Sequence, residues 1–291
     1  MRTKSTEKIN IYEIVTRKII EQLEAGTVPW HKSWVGSEAI NFVTRKPYQG
    51  INRLLLPFGG EWLTFKQAKD ADGHIRKGEK SSIIVFFKWV EKKDIDRQDG
   101  EEVEYIPYLQ YSNVFHISQC EGIESKLEPM AADIINHPIE DAQRILESYI
   151  LRSAVKVRHI EGSNQALYCP NKDSITMPIM SQFNTSESYY NVVFHEAAHS
   201  TGHKSRLNRD MSVAAYGSKN YGREELLAEI CAAFVMNAAG IDAEKSIEDS
   251  AGYIQSWLKA IREDNRAIVV ASSKAQKAAD LILGVETDSA A

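Results

Sequence analysis

From residue 11 onward, apolar side chains recur every three or four positions: Ile11, Ile14, Val15, Ile19 and Leu23. That spacing predicts an amphipathic helix over residues 10–25, opened by Asn10 with Glu13 as a capping-box-like pair and closed by Gly26. Pro29 bars its extension, and a turn-rich stretch follows to about residue 53. Trp62-Leu63-Thr64-Phe65-Lys66-Gln67 leads into a short helix. Residues 82–90, Ser-Ile-Ile-Val-Phe-Phe-Lys-Trp-Val, read as a strand, the polar run 92–104 as an exposed hairpin loop, and Tyr105 to Ile117 as the returning partner. Residues 118–138, with Gly122, Pro129 and Pro138, read as a connector. Helical spacing resumes with Ala142, Ile145, Leu146, Tyr149 and Ile150. Residues 155–160 and 166–177 then read as strands, the second broken at Pro170-Asn171-Lys172-Asp173. Ile175-Thr176-Met177 before Pro178 is expected to be an edge strand, open to an added peptide backbone. Two helices come next, and a last helical stretch runs from Ser250 through Ala260 to Leu283.

The first of those two helices carries the chemistry. His195-Glu196-Ala197-Ala198-His199 places two imidazoles one turn apart on a single helix face, where they can close on one divalent cation, with Glu196 beside them to take a proton from water. Thr185 or Ser186 can cap this helix, its body is apolar, and Gly202 can end it. A catalytic zinc site needs a third protein ligand. The metzincin spacing would put a histidine at position 205, which is Ser, and His203 follows a helix stop that points it elsewhere. The second helix, 223–234, holds Glu225 and Glu229 four apart, with Ala232 and Ala233 allowing close approach of a neighbour. A carboxylate pair on a mostly apolar face is poorly explained as a solvated surface. Glu229 is the expected ligand, being flanked by Leu226, Ala232 and Ala233, and Glu225 is its rival.

Composition adds less. The 291 residues suit one large domain or two ordinary ones. With no 18-residue apolar run and no signal-like start, a cytoplasmic chain without membrane contact is expected. Cys120, Cys169 and Cys231 are odd in number and far apart, so they read as thiols in a reducing compartment, not as staples or ligands. The net charge of −5 is unevenly spread. Residues 1–93 hold 17 Lys and Arg against 10 Asp and Glu, and the remainder is strongly acidic. A basic first part suggests a polyanionic partner.

Aromatic and cationic residues interleave in that first part, a pattern suited to single-stranded nucleic acid, whose bases stack on rings while its phosphates meet cations. The stacking candidates are Trp30, Trp34, Tyr48 and Trp62. The phosphate candidates are Lys32, Arg45, Lys46, Arg53, Lys77 and Lys80. Trp is also an ordinary core residue, which is the competing reading of each.

Several separated blocks carry a resemblance. They are Tyr12-Glu13-Ile14-Val15-Thr16, Gly26-Thr27-Val28-Pro29-Trp30, Tyr48-Gln49-Gly50-Ile51-Asn52, Trp62 to Ala68 and Lys77-Gly78-Glu79. In the second half they are Phe194 to His203, Arg206-Leu207-Asn208-Arg209 and Glu224 to Glu229. The chain resembles the ArdC-type antirestriction proteins of conjugative plasmids, nearly end to end. The resemblance implies an α+β chain of two domains. The first, residues 1–120, would be a mixed α/β domain binding single-stranded DNA. After a linker at 121–138, residues 139–291 would form a zincin-like metallopeptidase domain with an HExxH helix and a small antiparallel sheet. It further implies protection of incoming plasmid DNA from host restriction. Zn²⁺, or another divalent metal such as Mn²⁺, would sit on His195, His199 and Glu229, Glu196 would be the catalytic base, and host restriction proteins would be a possible target. A DNA-coating protein with a structural or vestigial metal site is the alternative.

Overall fold

A computed structural model of the protein describes residues 10–25, 28–30, 38–91, 105–127, 138–163, 165–209, 219–241, 257–259 and 261–285. Gly26, Lys32, Trp34, the expected hairpin loop 92–104 and residues 128–137 of the expected connector fall outside them. The first helix, α1 (Ile11–Glu24), forms as its pattern predicts: Asn10 accepts from the Tyr12 amide and donates to Glu13, and Val15, Ile19 and Leu23 are buried.

The strands β1 (Ala39–Asn41), β2 (Gly60–Leu63), β4 (Ser82–Glu91) and β5 (Tyr105–His116) make one sheet in the order β1-β2-β5-β4. β1 and β2 run parallel, with Asn41 opposite Trp62, while β4 and β5 form the expected long antiparallel hairpin, with Ser82 opposite Val114. Two short helices, α2 (Ile51–Leu55) and α3 (Phe65–Asp70), flank β2, and the little strands β3 (His74–Ile75) and β6 (Cys120–Glu121) pair beside it. α3 starts on a full capping box: the Thr64 hydroxyl accepts from the Gln67 amide, and the Gln67 side chain accepts from the Thr64 amide.

The second half begins with α4 (Pro138–Ser153), followed by β7 (Lys156–Ile160), β8 (Leu167–Cys169) and β9 (Ser174–Pro178). The small sheet differs from expectation in two ways. It is mixed, since β7 runs parallel to β9 and only β8 is antiparallel, and β9 is its central strand instead of an edge. Ile175 and Met177 are fully buried there, which explains why an apolar run marks a strand covered by neighbours on both sides. Among the described residues the long helices α5 (Ser186–Ser200), α6 (Lys219–Ala238) and α7 (Ala267–Leu283) follow. Leu226, Ala228, Ile230, Ala232, Val235 and Met236 of α6 are all buried, so α6 is an interior helix, covered by α5 on one side and α7 on another.

The apolar core crosses the sequence boundary expected at residue 120. Val15, Ile19, Leu54, Ile83, Val85 and Leu109 belong to the same cluster as the buried residues of α5, α6 and α7. Trp30 meets Trp257 edge-on at 5.1 Å, the Thr16 hydroxyl donates to Asn265 O at 2.7 Å, and Glu24 pairs with Arg262. Gly50, held at φ 56°, donates its amide to Gln276 of α7 at 3.1 Å. Arg53 lays its guanidinium 4.2 Å over the Phe234 ring of α6.

These placements correct several of the nucleic-acid candidates. Trp30 and Trp62 are 3% and 1% exposed and cannot stack a base. Arg53 is spent on α6, Arg45 pairs with the fully buried Glu61, and Tyr48 is half-buried with its hydroxyl accepting from Asn41. Lys46, Lys77 and Lys80 are exposed, while Lys32 and Trp34 lie outside the described residues.

Two outcomes follow from this packing. Trp30→Ala should lower stability by about 3–5 kcal/mol, as truncation of a large core aromatic does, measured by denaturant melts; a loss under about 0.5 kcal/mol would mean the ring is not core. Burial would raise the pKa of Glu61, but bonds from Ser125, Arg45 and the Lys126 amide hold it below the usual carboxylate range. The stability it contributes is therefore complete above about pH 4.3 and is lost as pH falls through its depressed value. The stability gap between wild type and Glu61→Gln should shrink on acidification from pH 6 to pH 3, and a gap independent of pH would refute that role.

Candidate metal centre

Thr185 caps α5 by accepting from the Ser188 amide, and the apolar stripe Tyr189, Tyr190, Val193, Phe194 and Ala197 anchors it in the core. Its C-terminal end, where free carbonyls carry partial negative charge, is held by two arginines from the turn after it. Arg206 donates to Ser200 O at 2.7 Å and is itself gripped by Asp173, and Arg209 donates to Ala198 O at 2.8 Å and the Thr201 hydroxyl at 2.6 Å. On the α4 side, Tyr149 and Ser200 share a 2.6 Å hydrogen bond. The helix end that carries His199 is thus immobilised from three directions.

α6 crosses α5 with Ala197 and Ala198 on one side and Ala228 and Ala232 on the other, all buried. Small residues at the crossing let carboxylates of α6 reach the imidazoles of α5. The contacts run antiparallel, His199 meeting Glu224 and Glu225, and His195 meeting Glu225 and Glu229. His195, His199 and Glu225 form a group in which one ligand atom from each lies within 4.8 Å of the others. The two Nε2 atoms are 3.0 Å apart, and each is 3.4 Å from an oxygen of Glu225. Donors bonded at about 2.0–2.1 Å to one tetrahedral zinc would be separated by about 3.3 Å, so the set fits a small divalent cation.

The acid that the geometry groups with the two histidines is Glu225 and not the expected Glu229. In antiparallel helices the residue level with the gap between the histidines is Glu225, and Glu229 stands one turn further along. Glu229 reaches instead the outer nitrogen of His195, Nδ1, at 3.2 Å. Glu224 does the same for His199 Nδ1 at 3.3 Å, and Arg209 clamps Glu224 with two bonds, 2.7 and 3.2 Å. Both imidazoles thus turn Nε2 inward and are oriented through Nδ1 by a carboxylate, as metal-ligating histidines are in general. Glu224 and Arg209 were missed by reasoning from the sequence. The signal was present as three acids in one turn and a half, but the helix register that separates their roles was not.

Electrostatics agree with a cation site. Burial alone would depress the pKa of His195 and His199, yet the surrounding carboxylates outweigh it and raise both. Burial likewise pushes Glu225 up, but the two imidazoles hold it far below the usual carboxylate range. A partly buried set of two imidazoles and three carboxylates calls for added positive charge, which protons or a metal ion can supply. Glu196, 8% exposed, lies beside His195, whose pKa its charge helps to raise. His203 turns away, sharing a 2.7 Å bond with Ser205, and Cys120, Cys169 and Cys231 are free thiols that take no part in the group.

Metal analysis of dialysed variants reads these roles directly. His195→Ala and Glu225→Ala should lose nearly all metal. Glu229→Ala and Glu224→Ala should retain it, with affinity reduced about 10–100-fold in chelator competition. Metal retained in Glu225→Ala and lost in Glu229→Ala would reverse the assignment.

Comparison with known proteins follows the same division of the chain. Residues 9–115 match the N-terminal domain of anti-restriction factor ArdC, and residues 144–274 match the zincin-like metallopeptidase family. The protein y4eC of Sinorhizobium fredii is 34% identical over 96% of this chain and 93% of its own length. A protein named DNA primase TraC from Escherichia coli is 35% identical over 94% of this chain, which spans 20% of that much longer relative. The crystal structure of antirestriction ArdC from plasmid R388 superposes with a TM-score of 0.74 at 34% identity, covering 94% of this chain and 97% of that one. The same protein has been solved with Mn(II) bound, with a TM-score of 0.73. On the order of its two domains, the near-complete coverage and the shared fold, the chain belongs to the family of ArdC antirestriction proteins.

Proposed function

We propose that this protein engages single-stranded plasmid DNA as it enters a new host, shields it from restriction, and carries a metal-dependent peptidase site directed at a protein target. The observation that carries the reading is the pairing of a two-histidine, one-carboxylate donor set with a buried general-base candidate on an ArdC-type chain. His195, His199 and Glu225 would hold the divalent ion, zinc or manganese, with Glu229 and Glu224 fixing the two rings. When bound, that ion would supply a Lewis acid that polarises a peptide carbonyl and acidifies water. Glu196 accepts the proton as water attacks and returns it to the leaving amine. The substrate backbone would pair with β8, the outer strand of the small sheet nearest α5. Proteins of the host restriction system are the natural candidates for cleavage. Among the described residues no helix is long and apolar enough to cross a membrane, in keeping with action in the cytoplasm.

A second reading, a DNA-coating protein whose metal site only stabilises the fold, is separated from the first by Glu196→Gln. That variant should keep its metal, lose proteolysis of a casein-type test substrate by at least about two decades, and lose restriction protection in a conjugation assay. Full protection by a metal-loaded, cleavage-dead Glu196→Gln would move the function to binding alone.

A further inference from the structure

The burial of Trp30 and Trp62 removes two of the four expected stacking residues from the DNA reading, and the described surface offers another aromatic. Because β1 and β2 run parallel, the segments leaving their C-terminal ends emerge side by side, and the Phe42 amide still donates to Trp62 O at 2.9 Å. One segment is the turn Phe42–Lys46. The other enters α3 at Phe65. Both are rigid. Asn41 accepts from the Val43 and Thr44 amides, at 3.0 and 2.9 Å, and the capping box pins the start of α3. Phe42, Leu63 and Ala68 form the buried floor beneath them.

What stands on that floor is unusual for a surface. Phe65 is 64% exposed and Val43 55% exposed. Lys69, one helical turn after Phe65, shares its face, Lys66 adjoins it, and Lys46 closes the neighbouring turn. All three lysines are exposed, and none has an ion-pair partner among the described residues. Lys126 joins them with Nζ 4.2 Å above the Phe42 ring. Glu61, in β2, is buried and already matched by Arg45, Ser125 and the Lys126 amide. Asp70 adjoins Lys69 and stands four residues after Lys66, so four lysines face this one exposed acid of α3, and Glu124 is the one carboxylate of the 124–127 segment.

We propose that the patch of Val43, Lys46, Phe65, Lys66, Lys69 and Lys126 is a binding site for single-stranded DNA, with Phe65 stacking a base and the lysines meeting the flanking phosphates. This rests on the DNA-binding reading above and locates it. Charge complementarity selects the occupant: an exposed ring flanked by lysines on its own helix and on the adjoining turn suits a polyanion whose bases are free to stack, which duplex DNA does not offer. Of the other exposed aromatics among the described residues, Phe58 packs on Trp62 and His116, and Phe86, Phe87, Tyr108 and Tyr111 lie on β4 and β5. The sequence that joins those two strands, 92–104, carries six acids against three cations, a composition that repels a phosphate chain.

The test uses the full chain and a fluorescein-labelled oligo-dT, titrated by anisotropy over a range of salt. Phe65→Ala should weaken binding by about one to two decades, Phe65→Trp should bind like wild type, and Phe65→Leu should resemble Phe65→Ala, since bulk without an aromatic face does not stack. Lys66→Ala and Lys69→Ala should each lower the salt slope by about 0.7. Phe87→Ala should be without effect. Phe65 is mostly exposed, so all these variants should melt with wild type, and the lysine variants test the patch even if a Phe65 variant does not. If wild type binds and Phe65→Ala and the lysine variants stay within about twofold of it, the patch is wrong and the DNA reading survives. If wild type itself binds no oligo-dT at low salt, both fall.

Discussion

The antiparallel crossing of α5 and α6 is the contact on which the candidate site depends. Alanines on both helices let the backbones approach, and that approach brings two imidazoles and three carboxylates into a partly buried space. Such a concentration of ionisable groups is tolerated only where each is paired and the surplus negative charge is met. The register of the crossing distributes the acids. Glu225 stands level with the gap between the two Nε2 atoms, while Glu224, its preceding neighbour, and Glu229, one turn further along, take the outer nitrogens. A slip of one residue along either helix would exchange the ligand with one of its orienting neighbours.

Around this crossing, the remaining structure acts largely as a brace. Arg206 and Arg209 neutralise the exposed carbonyls at the end of α5, and Arg209 extends the same guanidinium to Glu224, so one side chain ties the helix terminus to the carboxylate that orients His199. Asp173, at the turn before β9, holds Arg206, which links the small sheet to the helix end. α7 covers the far side of α6, and α1 and α2 cover α7 and part of α6 in turn. The N-terminal segment therefore supplies part of the wall of the metallopeptidase core as well as its own sheet, and the two halves share one apolar cluster through Trp30 and Trp257.

That sharing has a consequence for where a nucleic acid can bind. An aromatic or cation drawn into the buried core or laid against it is withdrawn from the surface, as Trp30, Trp62 and Arg53 are. The rings and charges that remain outside collect where the topology has no covering layer, at the ends of β1 and β2 and along the β4–β5 hairpin. Charge separates the two: lysines at the strand ends, and acids in the sequence that joins β4 to β5.

Much was legible without coordinates. The α1 stripe, the β4–β5 hairpin, α4, and α5 with its cap and two inward histidines are written in local periodicity and capping residues, because those signals act over four or five positions and need no partner. Relations between distant segments could not be read that way. Whether Glu225 or Glu229 faces the histidines depends on the axial register of two helices joined by the eighteen residues 201–218, and burial of the flanking alanines says how deep a carboxylate lies without saying at which level. Whether Ile175-Thr176-Met177 is an edge or a centre depends on β7 and β8 both choosing to pair with it. Whether Trp30 stacks a base or Trp257 depends on a contact across more than two hundred residues. An aromatic or acidic side chain carries the same chemistry in either place, and only the tertiary packing determines which neighbour satisfies it.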